Sequence, residues 1–181
     1  MQFVTLAPPT IDLDLRYATP DNLTGSPIYR RPLCLLHPAA AARLLEAVRL
    51  AAAQGLRLRV FDAYRPPAAQ WKLWEALPDA RFIADPRKGS SHGRGVAVDL
   101  TLAAADGTPL EMGTGFDDMS ERAYHADTQV PVEAQRNRSL LLGIMAAAGW
   151  AHYAHEWWHY HLPDARSYPL VEDGALGPRM M

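Results

Sequence analysis

The sequence predicts a single α+β domain, and three observations carry that reading. Helical and strand-like patterns are mixed along the chain without regular βαβ repetition. Its 181 residues suit one ordinary domain with a substantial core. The balance of 49% hydrophobic to 21% charged residues is that of a soluble globular protein rather than a disordered one.

The elements follow in order. The first ~35 residues are rich in Pro, Thr, Asp and Tyr and read as an irregular arm over a core. A helix is predicted from Pro38 to Gln54, with Pro38 at its start, Gly55 past its end, and a buried stripe of Ala41, Leu44, Leu45, Val48 and Ala52. LRLRVFDAY (56–64) alternates and then turns apolar, as a strand does. Pro66 and Pro67 fit the first turn of a second helix carrying Trp71 and Trp74. A polar connector leads to a strand from about Val96 to Leu102. Residues 110–125 look loop-rich. A third helix is expected from about Val132 to Ala148, burying Leu140, Leu141, Ile144, Met145 and Ala148, with Gly149 as its stop. The last element is a strand over 157–162.

Charge and composition exclude several functions. A net charge of −2 with scattered arginines gives no basic field for nucleic acid or anionic lipid. No stretch approaches the roughly 18 apolar residues of a membrane span. The single cysteine, Cys34, lies between two leucines and reads as a buried structural thiol. The opening MQFVTLAPPTIDLDL is a poor secretion signal, and a cytoplasmic protein is expected.

Residues 155–161 read HEWWHYH and satisfy H-E-x-x-H literally. In helical zinc proteases that pattern places both histidines on one helix face. Here Gly149 leaves little room for a new helix before Pro163, and Tyr153, Trp157, Trp158 and Tyr160 favour strand. A strand puts Trp157, His159 and His161 on one face, so Glu156 reaches the His159 side only from a bend at the strand's entry. His155 then has no claim as a ligand, and with His161 it is expected to face solvent. The remaining ligands are sought in SSHGRGVAVDLTL. Asp99 shares a strand face with Ala97 and Thr101, and a carboxylate in so apolar a strand is costly without a partner. His92, followed by Gly93 and Gly95, can turn back towards it. His92, Asp99 and His159 would form a zinc-like set with one position open for water. Taken singly, each has an ordinary reading: a loop histidine, or a hydrogen-bonded core carboxylate. Likewise, Arg65 could simply pair with Asp62 at the surface.

The patterns Ser90 to Asp99 (S-x-H-x-x-G-x-A-x-D) and Glu156 to His159 (E-x-W-H) resemble the VanX-type D-alanyl-D-alanine dipeptidases, zinc enzymes related to D,D-carboxypeptidases and the hedgehog-type domain. DLRYATPDNLTG (14–25), DAYRP (62–66), GFDDMSER (115–122) and EAQRNR (133–138) extend the resemblance over nearly the whole chain. It implies a small, mostly antiparallel sheet packed with helices and hydrolysis of free D-Ala-D-Ala. It also implies one Zn2+ per chain on His92, Asp99 and His159, with Glu156 as base and Arg65 stabilising the transition state. Asp117 would receive the substrate ammonium, with Asp118 as the alternative if the loop register differs, and Tyr17 and Ser90 would line the pocket. The connector between YRP and S-S-H is shorter than in familiar members, which could open the pocket wall and relax selectivity. A D,D-carboxypeptidase, a non-catalytic zinc domain and the helical protease are the competing readings.

Overall fold

The computed structural model describes residues 2–176 and 179–181. In chain order it contains β1 (Val4–Leu6), β2 (Asp12–Leu13), β3 (Cys34–Leu36), α1 (Pro38–Ala52), β4 (Leu56–Asp62), α2 (Pro67–Ala76), β5 (Ala97–Ala104), α3 (Val132–Ala147), β6 (Ala151–Tyr153) and β7 (Glu156–His161). Five strands form one sheet in the order β2-β4-β5-β7-β6, antiparallel throughout except for the parallel β2–β4 pair. A separate antiparallel pair joins β1 to β3. The α+β class expected from the sequence is the class observed.

β5 lies at the centre and is buried along almost its whole length. Its apolar face, Val96, Val98, Leu100 and Leu102, enters the main core, where α1 and α3 pack. The opposite face carries Ala97, Asp99 and Thr101, also buried, and the site is built on it.

The helices start where proline predicts. Pro38 is in the first turn of α1, and the preceding His37 caps it by accepting the Ala39 N–H on Nδ1 at 3.1 Å. The buried stripes differ from expectation. α1 buries Ala40, Ala41, Leu44, Ala47 and Ala51, whereas Leu45 is 41% exposed and Ala52 is exposed. The stripe is rotated because small alanines let α1 approach β4 and α3 closely, an advantage that ranking residues by hydrophobic bulk misses. In α3, Leu140 is only partly buried, while Arg138 is 1% exposed and lies in the buried stripe.

The amino-terminal arm is largely irregular apart from β1 and β2. It contributes Phe3, Tyr17, Ile28 and Tyr29 to a second core with Tyr64, Leu73 and Ile83. Cys34 is buried and unpaired in β3. Among the described residues no helix is long and apolar enough to cross a membrane.

Candidate active site

Register places the site. Asp99 of β5 pairs directly with His159 of β7 on one side and with Asp62 of β4 on the other, so three polar residues form a row across the sheet. His92 joins them from a short 3-10 turn, His92–Arg94, immediately before β5. Gly95 follows with φ +66, and a Cβ there would collide with the Phe3 ring, so glycine is needed to turn the chain under the arm.

Within this cluster His159 Nδ1 is 3.0 Å from Asp99 Oδ1, His92 Nε2 is 3.3 Å from the same oxygen, and the two ring nitrogens are 3.1 Å apart. Four-coordinate zinc, with bonds of 2.0–2.1 Å, spaces its donor atoms about 3.3 Å apart. His92 Nδ1 lies 2.6 Å from the Ala63 carbonyl and is therefore assigned the ring proton, which leaves the Nε2 lone pair facing Asp99 and His159. Electron-rich atoms this close repel unless a proton or a cation lies among them. The residues fit a divalent ion, and the three form a metal-capable group.

Arg65 is not the surface partner of Asp62 that a bland reading allows. It is buried, donating from Nε to Asp62 (2.8 Å), from Nη1 to Gln70 (3.1 Å) and from Nη2 to Asp99 (3.1 Å). Its guanidinium carbon lies 4.8 Å from the Tyr17 ring centroid. Three of the five N–H groups are engaged in these bonds, leaving two to meet another acceptor. Asp62 is itself fixed by the Tyr29 hydroxyl at 2.9 Å. Asp62, Gln70 and Tyr29 were not singled out as site residues in the sequence. The D-x-x-R spacing inside DAYRP is the one local signal that could have exposed Asp62.

Glu156 opens β7 immediately after the Ala154–His155 turn, at the strand's entry. The β5–β7 ladder ends at Asp99–His159, and the β6–β7 register shifts at His152/Tyr153, so Glu156 is free of strict alternation with His159. Its Oε2 is 3.9 Å from His159 Nδ1. Burial first, and then repulsion from Asp99 and Asp117 against the opposing pull of Arg65, pushes its carboxyl well above the usual range.

Asp117 adopts φ +61, a left-handed backbone uncommon outside glycine but tolerated by aspartate. The Tyr17 hydroxyl and the Leu23 N–H both donate to its carboxylate at 3.0 Å. Burial raises its pKa to about 6 despite these bonds and the charge of Arg65. The Ser90 hydroxyl accepts the His92 N–H at 3.2 Å, bracing that turn. All eight residues singled out from the sequence line one cavity of about 850 Å³. Residues 80–84 and 88–91 of the short connector form part of the cavity wall.

His155 and His161 depart from the expectation that they face solvent. His155 stacks on Tyr124 with centroids 4.4 Å apart, held by the turn geometry outside the metal-capable group. His161 is half-buried in the cavity wall, its ring 5.4 Å from His159, because it shares that strand face. Burial, reinforced by neighbouring His159, lowers its pKa to about 4.

The chain is similar over most of its length to known proteins. Residues 2–174 match the family model described as D-ala-D-ala dipeptidase. The chain is 47% identical over 165 residues to the D-alanyl-D-alanine dipeptidase of Escherichia coli (strain K12), covering 91% of this chain and 86% of that protein. It is 38% identical over 172 residues to the D-alanyl-D-alanine dipeptidase of Enterococcus faecium, covering 83% and 85%. The protein of that name from Streptomyces coelicolor is 37% identical over the same shares.

Proposed function

The chain belongs to the D-ala-D-ala dipeptidase family of metallopeptidases, and from that premise we propose that it hydrolyses free D-Ala-D-Ala, using one zinc ion held by His92, Asp99 and His159. The observation that carries this reading is the convergence of three donor atoms at 3.0–3.3 Å beside a buried glutamate and a buried arginine. Two imidazoles and one carboxylate suit zinc better than the hard cations, which prefer oxygen alone. Action in the cytoplasm on a small dipeptide, with no nucleic-acid or membrane partner, is part of the proposal.

Bound zinc would supply Lewis acidity and a water acidic enough to ionise near neutral pH. Glu156 takes the attacking water's proton and passes it to the departing amine; its raised proton affinity suits it to hold that proton between the two steps. Arg65 turns its two uncommitted N–H groups to the carbonyl oxygen as negative charge builds there. Asp62, Gln70 and Asp99 hold the guanidinium so that little reorganisation is needed. Asp117 accepts the substrate's ammonium. Replacing Arg65 with Met is expected to lower kcat about 10²- to 10³-fold, the range for loss of an oxyanion donor, as measured by steady-state turnover.

The deciding experiment compares free D-Ala-D-Ala with its N-acetyl form. Acetylation removes the ammonium and leaves the buried Asp117 carboxylate without the substrate's counter-charge, so kcat/KM should fall by about 10²-fold or more. Equal turnover of the two would overturn the dipeptidase reading in favour of a D,D-carboxypeptidase. No turnover of either by zinc-loaded protein would favour a non-catalytic zinc domain, although holding metal alone requires neither Glu156 nor Arg65. The pH profile gives a second check. Asp117 is charged above about 6 and neutral below it, so its grip weakens as pH falls through that value. The preference for the free over the acetylated dipeptide should shrink over the same range.

A further inference from the structure

EAQRNR (133–138) belongs to the family resemblance, yet none of its residues enters the chemistry above. Its last residue, Arg138, is buried in α3 with 1% exposure. From there it donates to two carbonyls twelve residues apart in sequence, Nε to Met112 at 2.7 Å and Nη1 to Tyr124 at 2.8 Å. Those carbonyls mark the two ends of the loop with Asp117 near its middle. Burying a cation against carbonyls, with Nη2 unpartnered among the described residues, is costly for a helix that needs only an apolar side chain there. The planar fork can bridge two separate acceptors, which a lysine ammonium does less well. Trp157 adds a further tie at the same end, donating from Nε1 to Thr114 Oγ1 at 2.8 Å.

We propose that Arg138 is a positioning residue that closes the base of the 112–124 loop, so that Asp117 is presented to the substrate ammonium in its left-handed conformation. The proposal rests on the ammonium role of Asp117 given above. Among the described residues the Asp117 carboxylate is hydrogen-bonded by Tyr17 and Leu23, both from the amino-terminal arm, and the adjacent Phe116 packs on Tyr17, Phe61 and Trp158; Arg138 adds the polar constraint at the loop's two ends. An unclamped base lets residue 117 relax towards ordinary backbone angles and carries the carboxylate away from both partners. Arg138 meets β7 through the Trp157 ring, whose centroid is 6.0 Å from its guanidinium carbon, and its hydrogen bonds go to Met112 and Tyr124 rather than to His92, Asp99, Glu156 or His159.

The test uses zinc-loaded full-length protein with Arg138→Met, Arg138→Lys, Asp117→Ala and the double variant Asp117→Ala/Arg138→Met. The expected result for Arg138→Met is a KM for D-Ala-D-Ala raised about tenfold or more, with kcat and zinc content near the parent values. Amide hydrogen exchange should quicken in 113–123 and not in β5 or β7. In the Asp117→Ala background the same change should cost nothing further in kcat/KM, because the group it positions is gone. An unchanged KM, or a loss that adds fully to that of Asp117→Ala, overturns the proposal and leaves Arg138 a packing residue. If Asp117→Ala alone leaves KM unaltered, the ammonium reading fails, and this inference with it. Should Arg138→Met not fold, Arg138→Lys decides. It keeps the charge but bridges the carbonyls poorly, so its KM must rise for the proposal to stand.

Discussion

Replacing Glu156 with Gln should lower kcat by about two to four orders of magnitude, the span expected for loss of a positioned general base. The substitution keeps the side chain's size and removes only its ability to take a proton. Glu156 lies outside the three-residue metal group, its nearest oxygen 3.9 Å from His159 Nδ1, so the zinc content measured by atomic absorption should stay at one per chain. Stability should not fall, because burial already disfavours the charged form and the amide carries no charge to bury. Full activity in Glu156→Gln would mean that another group takes the proton. Neither His155 nor His161 could then be left out, since each lies one or two residues from the proposed base or ligand.

Asp99→Ala should have the largest effect of any single change, because two systems meet at that carboxylate. One oxygen faces His92 and His159, and the other accepts from Arg65 at 3.1 Å. Removing it takes away the anionic ligand and leaves a buried guanidinium with one fewer counter-charge. Breaking a buried ion pair in this way typically costs about 3–5 kcal/mol. Zinc binding and turnover should both be lost, and the protein should melt at a markedly lower temperature even without metal. Zinc retained at parental affinity in Asp99→Ala would sink the proposed centre. His155→Ala is the control that separates this centre from a helical protease site: it should keep its metal, because His155 stacks on Tyr124 instead of joining the metal-capable group.

Much of the scaffold is legible in the sequence, for local reasons. Pro38 and Pro67 mark helix starts because proline's fixed φ and missing N–H cost nothing there. Gly149, at φ +86, marks the end of α3. The apolar face of β5 follows from strict alternation, and Asp99 stands out as the one charged residue of that strand. The helix faces were less legible. A leucine and an alanine compete for a buried position by how closely two elements approach, and that distance belongs to the pair, not to either sequence. Periodicity places Leu45 and Leu140 inside, yet they lie partly or largely outside, while Ala47 and Arg138 take the inner positions.

The class of fold, the order of the three helices and the longer strands, and the residue types able to hold a divalent ion all follow from the chain's local pattern. Each depends on backbone preference, on periodicity, or on a short run such as SSHGRGVAVD that brings its own residues together. Strand register sets Asp62, Asp99 and His159 side by side on three strands, and packing locks Arg65 between two carboxylates. Only in the tertiary structure does Glu156 escape alternation, because its strand has already left the ladder with β5. Those outcomes turn on register and on where pairing stops. Both are set by how the strands pack against the rest of the core, over distances that no local run of residues encodes.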